Sequence, residues 1–163
     1  MNVRYVNYYI TENGSYLNCD KYIITANKFI ELSKDFKVVN KKLFDVNFED
    51  RRYIGIEDVR IFYDNNDMRF MGTGFHKNNS IGIVHGKYNL DKQILESNEL
   101  VCSFNNQGCE KNWVYVDYNG STHIIYKWNP LQICTINEEK NTIELVESKN
   151  TPRIFSHARG STC

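Results

Sequence analysis

The sequence has little of what interrupts β-strands or marks membrane and nucleic-acid-binding proteins. Its 163 residues include only two prolines, and its Lys and Arg residues balance its Asp and Glu residues at 20 each. No apolar run approaches the roughly 20 residues that a transmembrane helix needs. The neutral chain also lacks the positive field with which proteins attract polyanions. We therefore expect contacts with neither membranes nor nucleic acids.

The chain also lacks the residue spacing of a metal site. Its five cysteines are Cys19, Cys102, Cys109, Cys134 and Cys163, and no two of them form a Cys-x-x-Cys pair. Zinc sites usually combine such a pair with two further ligands at short spacing, so we expect no metal site and no organic cofactor. The N-terminus has tyrosines and asparagines where a secretory signal is continuously apolar. These features predict a cytoplasmic protein, or one of the host cytoplasm or virion if its source is a virus.

Strand-forming residues make up much of the rest. Aromatic residues account for 13% of the chain, and aromatic and β-branched residues favour strands. No stretch keeps the 3.6-residue period of an amphipathic helix. Alternating apolar and polar residues, separated by turn signals such as Asn119-Gly120, predict these strands: Arg4–Ile10, Tyr22–Ala26, Phe36–Leu43, Val59–Tyr63, Arg69–Phe75, Ser80–Tyr88, Ile94–Phe104, Trp113–Asp117, Thr122–Trp128, Gln132–Ile136 and Thr142–Glu147.

Similar strand openings recur along the chain. Glu57–Tyr63 (EDVRIFY) is followed by Glu110–Val116 (EKNWVYV), so that Arg60 and Trp113 stand 113 − 60 = 53 residues apart. A weaker counterpart, Val3–Tyr9 (VRYVNYY), lies upstream. A period of roughly 50 residues with several strands per unit is typical of β-propeller blades. The sequence therefore predicts an all-β fold with propeller-like repeats.

The repeat divides a single domain, residues 1–163, into about three blades. Blade 1 covers about residues 1–50, blade 2 about 55–105 and blade 3 about 109–148, and a fourth blade begins in about 153–163. Each blade is expected to be a four-stranded antiparallel sheet. Because a propeller normally closes with four or more blades, we predict a partial propeller whose open blade edge favours self-association. A small β-sandwich, in which the repeat spacing arises by chance, is the alternative.

Acidic residues at the strand openings are the candidates for catalysis. Strict strand alternation places Asp58, Arg60 and Phe62 on one face and Glu57 on the other, so that Asp58 lies beside a cation. Glycosidic cleavage commonly uses two carboxyl groups around one bond. Asp58 is the candidate proton donor, and Glu57 and Glu110 are the candidates for the second acidic role. Each of them has the alternative role of a structural hydrogen-bond or ion-pair partner.

Cationic and aromatic residues are the candidates for substrate binding. A phosphorolytic reaction needs Arg, Lys or His to hold phosphate, and Arg60, Lys111 and Arg159 are the first candidates, followed by His123 and His157. Asn112 shares a strand face with Glu110. Trp113 offers either a flat platform for a sugar ring or a core position between blades.

These motifs resemble those of a known group of proteins. Gly55–Ile61 (GIEDVRI), Glu110–Val114 (EKNWV) and Arg159-Gly160 resemble the five-bladed β-propeller carbohydrate-active enzymes, most of all the β-mannoside phosphorylases and related mannosidases. In those enzymes a Glu-Asp-Pro-Arg opening and a Glu-Lys-Asn-Trp opening mark successive blades. Ile125–Leu131 (IYKWNPL) is similar to the segment that follows the second motif. Comparable modules are associated with glycosyltransferases of giant viruses.

The resemblance implies a carbohydrate-active protein that hydrolyses, phosphorolyses or transfers glycosides, with a carbohydrate or sugar phosphate as its partner. It matches Asp58 to an active-centre acid and Arg60 to a sugar or phosphate contact. It matches Glu110, Lys111 and Asn112 to the second opening, and it matches Arg159 to a later arginine of the channel. Val59 replaces the usual proline, and we expect these 163 residues to lack the later blades that complete the family's channel. The alternatives are an inactive fragment and a non-catalytic propeller that binds sugars or proteins.

Overall fold

A computed structural model describes residues 1–19, 21–64, 66–105 and 109–157. Within these ranges the chain consists of β-strands and connecting turns, with no α-helix and a single 3-10 turn at Arg153–His157. The predicted all-β class is therefore confirmed. No helix in this described part is long and apolar enough to span a bilayer.

The first six strands form a sheet and a separate hairpin. In chain order they are β1 (Asn2–Val6), β2 (Tyr9–Ile10), β3 (Tyr16–Leu17), β4 (Ile23–Leu32), β5 (Val38–Leu43) and β6 (Tyr53–Ile54). The antiparallel strands β1, β4 and β5, in that order, form what we call the N-terminal sheet, and β6 pairs in parallel with the start of β4. β2 and β3 pair with each other. Alternate residues of β4, from Ile23 to Phe29, are buried, so one face of this strand points into the core.

The remaining eight strands form two antiparallel meanders of four strands each. They are β7 (Glu57–Asp64), β8 (Asp67–Phe75), β9 (Ile81–Asn89), β10 (Ile94–Cys102), β11 (Val114–Tyr118), β12 (Ser121–Trp128), β13 (Leu131–Asn137) and β14 (Thr142–Lys149). We call β7–β10 the central meander and β11–β14 the C-terminal meander. Parallel pairing of Val101 with Thr142 and of Cys102 with Ile143 joins their last strands, which gives one eight-stranded sheet.

The two meanders pack face to face. Met71, Ile83 and Leu100 of the central meander form a buried cluster with seven other residues. These are Cys102 at the end of β10, Trp113 just before β11, and five residues of the C-terminal meander: Tyr115, Ile124, Tyr126, Cys134 and Ile143. Phe62 packs against this cluster, and its ring centroid lies 5.2 Å from that of Tyr115. We call this cluster the inter-meander core. Burial of each large apolar side chain stabilises the fold by about 1.5–3 kcal/mol.

The opposite face of the central meander packs on the N-terminal sheet. Phe70, Val84 and Tyr88 form a second buried cluster with Phe29 and Phe44. Because neighbouring residues of a strand point to opposite faces, Phe70 lies in this cluster while the next residue of β8 lies in the inter-meander core. The central meander is thus covered on both faces.

The predicted strands differ from the observed ones mainly in the N-terminal part. The predicted strand Arg4–Ile10 is interrupted at Asn7, whose side chain bonds the Tyr22 carbonyl and the Ile24 amide. The predicted strand Tyr22–Ala26 is the first half of a longer one, β4. In the predicted strand Phe36–Leu43, Phe36 belongs to a turn because its φ is +61°.

A buried histidine lies beside charged groups within the inter-meander contact. His85 of β9 is 1% exposed, and its Nε2 lies 3.4 Å from Asn141 Oδ1. Its Nδ1 has no partner among the described residues. Burial lowers the pKa of His85, and the Arg69 cation acts in the same direction, while Asn141 and Glu138 oppose the shift. The folded chain therefore holds His85 as a neutral imidazole at neutral pH.

We predict that acid weakens the fold through His85. The unfolded chain binds a proton at its ordinary pKa of about 6.5, above the lowered pKa of the folded chain. Neutral His85 therefore makes its full contribution to the free energy of unfolding above a pH of about 6.5. This contribution is lost as the pH falls through the pKa that His85 has in the folded chain. Urea unfolding of the wild type at a series of pH values should show that the free energy of unfolding falls as the pH is lowered. This fall should be smaller in His85→Gln. His157→Gln, at an exposed position, should keep the wild-type slope. An identical slope in wild type and His85→Gln would contradict this assignment.

Candidate functional site

The opening of β7 contains a β-bulge centred on Asp58. Glu57 pairs with Thr73 and Arg60 pairs with Met71, so two residues of β7 lie opposite the single residue between Thr73 and Met71. Asp58 has a φ of +51°, in the left-handed region that Asp and Asn adopt more readily than most residues. A bulge of this kind breaks the two-residue alternation of side chains. The expectation that Asp58 and Arg60 share one face is therefore wrong.

The two acidic residues of the bulge contact the N-terminal part of the chain. Arg4 Nη1 donates to Asp58 Oδ1 over 2.9 Å and lies 3.8 Å from Glu57 Oε2. Glu57 Oε1 accepts hydrogen bonds from the Tyr8 hydroxyl at 3.2 Å and the Thr25 hydroxyl at 3.3 Å. The cation beside Asp58 is thus Arg4 of β1. We call Arg4, Tyr8, Thr25, Glu57 and Asp58 the carboxylate cluster.

The carboxylate cluster keeps its tyrosine in the protonated form. Burial, followed by the negative charge of Glu57, raises the pKa of Tyr8 to about 12. Tyr8 is therefore a hydroxyl donor across the physiological range of pH. The Asp58 side chain is 56% exposed, so it remains accessible to a ligand from solvent.

Arg60 links the two meanders. Its Nη1 donates to the Trp113 carbonyl oxygen over 3.2 Å. Trp113 is 2% exposed, and its ring lies edge-on to Tyr126 at 5.2 Å. This tryptophan therefore occupies the core position that was one of its two expected roles, and its ring is not open to a sugar.

The other residues of the second opening form a separate group. Glu110 Oε1 accepts from the Tyr126 hydroxyl at 3.1 Å, which in turn accepts from Asn105 Nδ2 at 3.0 Å. Lys111 is exposed, and Asn112 is half-buried with a φ of +66°. Among the described residues, no hydrogen bond or ion pair joins Glu110 to the carboxylate cluster.

The remaining candidates lie elsewhere. Arg159 is outside the described residues. His123 contacts its own hairpin, with Nδ1 lying 3.0 Å from the Ser121 carbonyl oxygen and its ring edge-on to Tyr118. His157 is exposed in the 3-10 turn. In the described part of the chain, no group of three or more His, Cys, Asp and Glu side chains is arranged to hold a metal ion.

Two cavities adjoin the carboxylate cluster, and sequence reasoning did not find them. The smaller, of about 80 Å³, is lined by Glu57, Thr73 and the rings of Tyr16 and Tyr53, among others. The larger, of about 650 Å³, lies between the N-terminal sheet with its following loop and the central meander. The loop of residues 44–52 carries no strand, and a strandless loop of this length inside a β-fold is a sequence signal for a functional site.

A glycine forms the wall between the two cavities. Gly55 lines both of them and has a φ of +87°. A Cβ atom at this position would lie 1.9 Å from the Thr25 carbonyl oxygen. Both the backbone conformation and the close approach of β4 therefore require glycine here, and the approach also positions Thr25 beside Glu57.

Comparison of the chain with protein-family models, with curated proteins and with solved structures finds no match. The resemblance of the two openings to propeller carbohydrate-active enzymes thus stays a prediction.

We predict that Gly55→Ala destabilises the protein more than Gly120→Ala does. Both glycines have positive φ, but a Cβ at Gly120 meets nothing within 4 Å. Gly120→Ala should cost about 1–2 kcal/mol of unfolding free energy, the price of a left-handed alanine. Gly55→Ala should cost roughly 1–3 kcal/mol more, because the backbone of β4 must also move. Chemical denaturation of the two variants measures the difference. Equal losses would show that Thr25 does not lie against Gly55.

Proposed function

We propose that this chain is part of a carbohydrate-active β-propeller and that the carboxylate cluster, with Arg60, contacts a glycoside. The observation that carries the proposal is the contact between first strands. Arg4 of β1 bonds Asp58 of β7, and Arg60 of β7 bonds the carbonyl of Trp113, immediately before β11. The first strands of the N-terminal sheet and of the two meanders therefore lie next to one another. In a propeller the first strands of the blades line the central channel, where ligands bind.

The chemistry of the carboxylate cluster suits a polyhydroxylated ligand. Glu57 already accepts two bonds from hydroxyl groups, those of Tyr8 and Thr25, which is the interaction that a sugar hydroxyl makes with a carboxylate. Arg4 is partly exposed and has five N–H donors, of which few are used. A hydroxyl of a bound sugar can therefore bridge Arg4 and Asp58 without displacing a buried contact.

For glycoside cleavage, Asp58 is the proposed acid, because its exposed side chain is accessible to a bound glycoside. Glu57 or Glu110 would supply the second carboxyl function. In a phosphorolytic reaction Arg4, Arg60 and Lys111 are the available cations. Arg159 would be a further phosphate contact, as the resemblance implies.

A second candidate function is sugar binding without turnover. Two observations favour it. Glu57 already contacts two hydroxyl groups and an arginine. Among the described residues, no hydrogen bond or ion pair joins Glu110 to the carboxylate cluster. Cleavage depends on two carboxyl groups held on either side of one bond, and such an arrangement needs Glu110 or a group outside this chain.

Incubation of the purified chain with β-mannosides and inorganic phosphate, with detection of free sugar and sugar phosphate, tests the catalytic proposal. Asp58→Asn should lower turnover by about 100-fold or more, the usual contribution of a general acid. Asp91→Asn, an exposed aspartate in the turn after β9, is the matched control and should leave turnover unchanged. Turnover that Asp58→Asn leaves intact would rule out Asp58 as the acid.

Calorimetric titration with the same mannosides separates the two candidate functions. Binding without turnover, weakened by Glu57→Gln but not by the matched control Glu12→Gln, would support the non-catalytic function. The absence of both binding and turnover for every glycoside tested would contradict the carbohydrate proposal altogether.

A further inference from the structure

The larger cavity is suited in size and composition to an organic ligand. Its volume of about 650 Å³ falls in the range of roughly 300–1,000 Å³ that is typical of sites for drug-sized ligands, and a disaccharide is of that size. Apolar walls come from Phe44, Phe75 and Tyr53, and polar groups come from Asn47 and Ser97. A sugar ring presents apolar faces and a polar edge, so this mixture of aromatic and hydrogen-bonding groups matches it.

The charges that line the cavity select against anions. Arg51 is the basic residue of the lining, and its guanidinium is engaged by the Glu49 carboxylate and by the Phe75 carbonyl oxygen, at 3.0 Å. Asp45 also lines the cavity, and its carboxylate has no hydrogen-bond or ion-pair partner in the described part of the chain. The unbalanced charge is therefore negative, and a phosphorylated or carboxylated ligand would meet repulsion without a free cation.

The cavity adjoins the carboxylate cluster. Tyr53, Gly55 and Phe75 line both cavities, and the smaller cavity includes Glu57. Thr25 lines the larger cavity and donates its hydroxyl to Glu57. A ligand in the larger cavity thus lies next to Thr25, the hydroxyl partner of Glu57. The rings of Tyr53 and Phe75, with centroids 5.6 Å apart, line both cavities.

We infer that this cavity binds the non-reacting units of an uncharged oligosaccharide and directs one end of the chain toward Glu57. The inference rests on the proposed function, since it specifies the substrate class of the same site. It assigns the loop of residues 44–52 to recognition of the glycan, and it predicts that longer neutral saccharides bind better than monosaccharides. Any phosphate used in a reaction would bind outside this cavity.

Titration of the isotopically labelled chain, followed by amide chemical shifts, tests the inference. The probes are three neutral tetrasaccharides (mannotetraose, cellotetraose and maltotetraose), mannose, and mannose 1-phosphate. At least one tetrasaccharide should shift amides of residues 44–56 and 94–97, and it should bind at least about tenfold more tightly than mannose, about 1.4 kcal/mol. Mannose 1-phosphate should not shift the amides of residues 44–52. Tetrasaccharides that shift none of these amides, or a sugar phosphate that binds there equally well, would overturn the inference.

Blocking the cavity gives an independent result. Ser97→Trp places a large side chain at the cavity wall and should weaken tetrasaccharide binding at least about tenfold. Its matched control is Asn98→Trp, because Asn98 is the exposed neighbour of Ser97 and strand alternation places it on the opposite face of β10. The control should bind within about twofold of wild type. Should Ser97→Trp fail to fold, Asn47→Ala removes a polar group from the lining and should weaken binding in the same direction. Unchanged affinity in the folded cavity variant would refute the assignment.

The same variants distinguish failure of this inference from failure of the proposed function. Loss of turnover in Asp58→Asn together with unchanged tetrasaccharide affinity in Ser97→Trp would leave the proposed function standing and refute the cavity. Tetrasaccharide binding that Ser97→Trp abolishes, without turnover of any glycoside, would support the cavity and leave sugar binding as the function.

Discussion

The inter-meander core is the contact on which the arrangement of the candidate site depends. Met71, Ile83 and Leu100 of the central meander are almost completely buried against the C-terminal meander. The same contact lays Phe62 of β7 against Tyr115 of β11 and so brings the first strands of the two meanders together. Without this packing the two similar openings would be unrelated segments. With this packing, Arg60 donates a hydrogen bond to the carbonyl oxygen of Trp113, immediately before β11.

The bulge at Asp58 distributes the polar residues of the first opening between two neighbours. It turns Glu57 and Asp58 toward Arg4, Tyr8 and Thr25 and leaves Arg60 for the C-terminal meander. A regular strand would have placed Asp58 and Arg60 on one face, whereas here Asp58 pairs with Arg4. The bulge leaves Asp58 half-exposed and Glu57 beside the smaller cavity, and such local irregularities are frequent beside functional sites.

The sequence predicted the two meanders well because their signals are local. Alternating apolar and polar residues lie within single strands, the Asn119-Gly120 turn lies between two adjacent strands, and the observed strands follow these signals closely. It could not predict the partners of the candidate residues. Arg4 and Asp58 are 54 positions apart, and neither the bulge nor the cavity under residues 44–52 leaves a periodic pattern. Both depend on how the N-terminal sheet docks on the central meander, which is a tertiary contact.

Nuclear Overhauser contacts between the ring protons of Phe62 and Tyr115 test the central claim most directly, since the two residues stand at equivalent places in the openings Glu57–Tyr63 and Glu110–Val116. The structure predicts clear cross-peaks between the two rings, which disappear in Phe62→Leu while the backbone spectrum of both meanders is retained. Absence of these cross-peaks in the folded wild-type chain would show that the two first strands are not neighbours, and the shared polar site would have no basis.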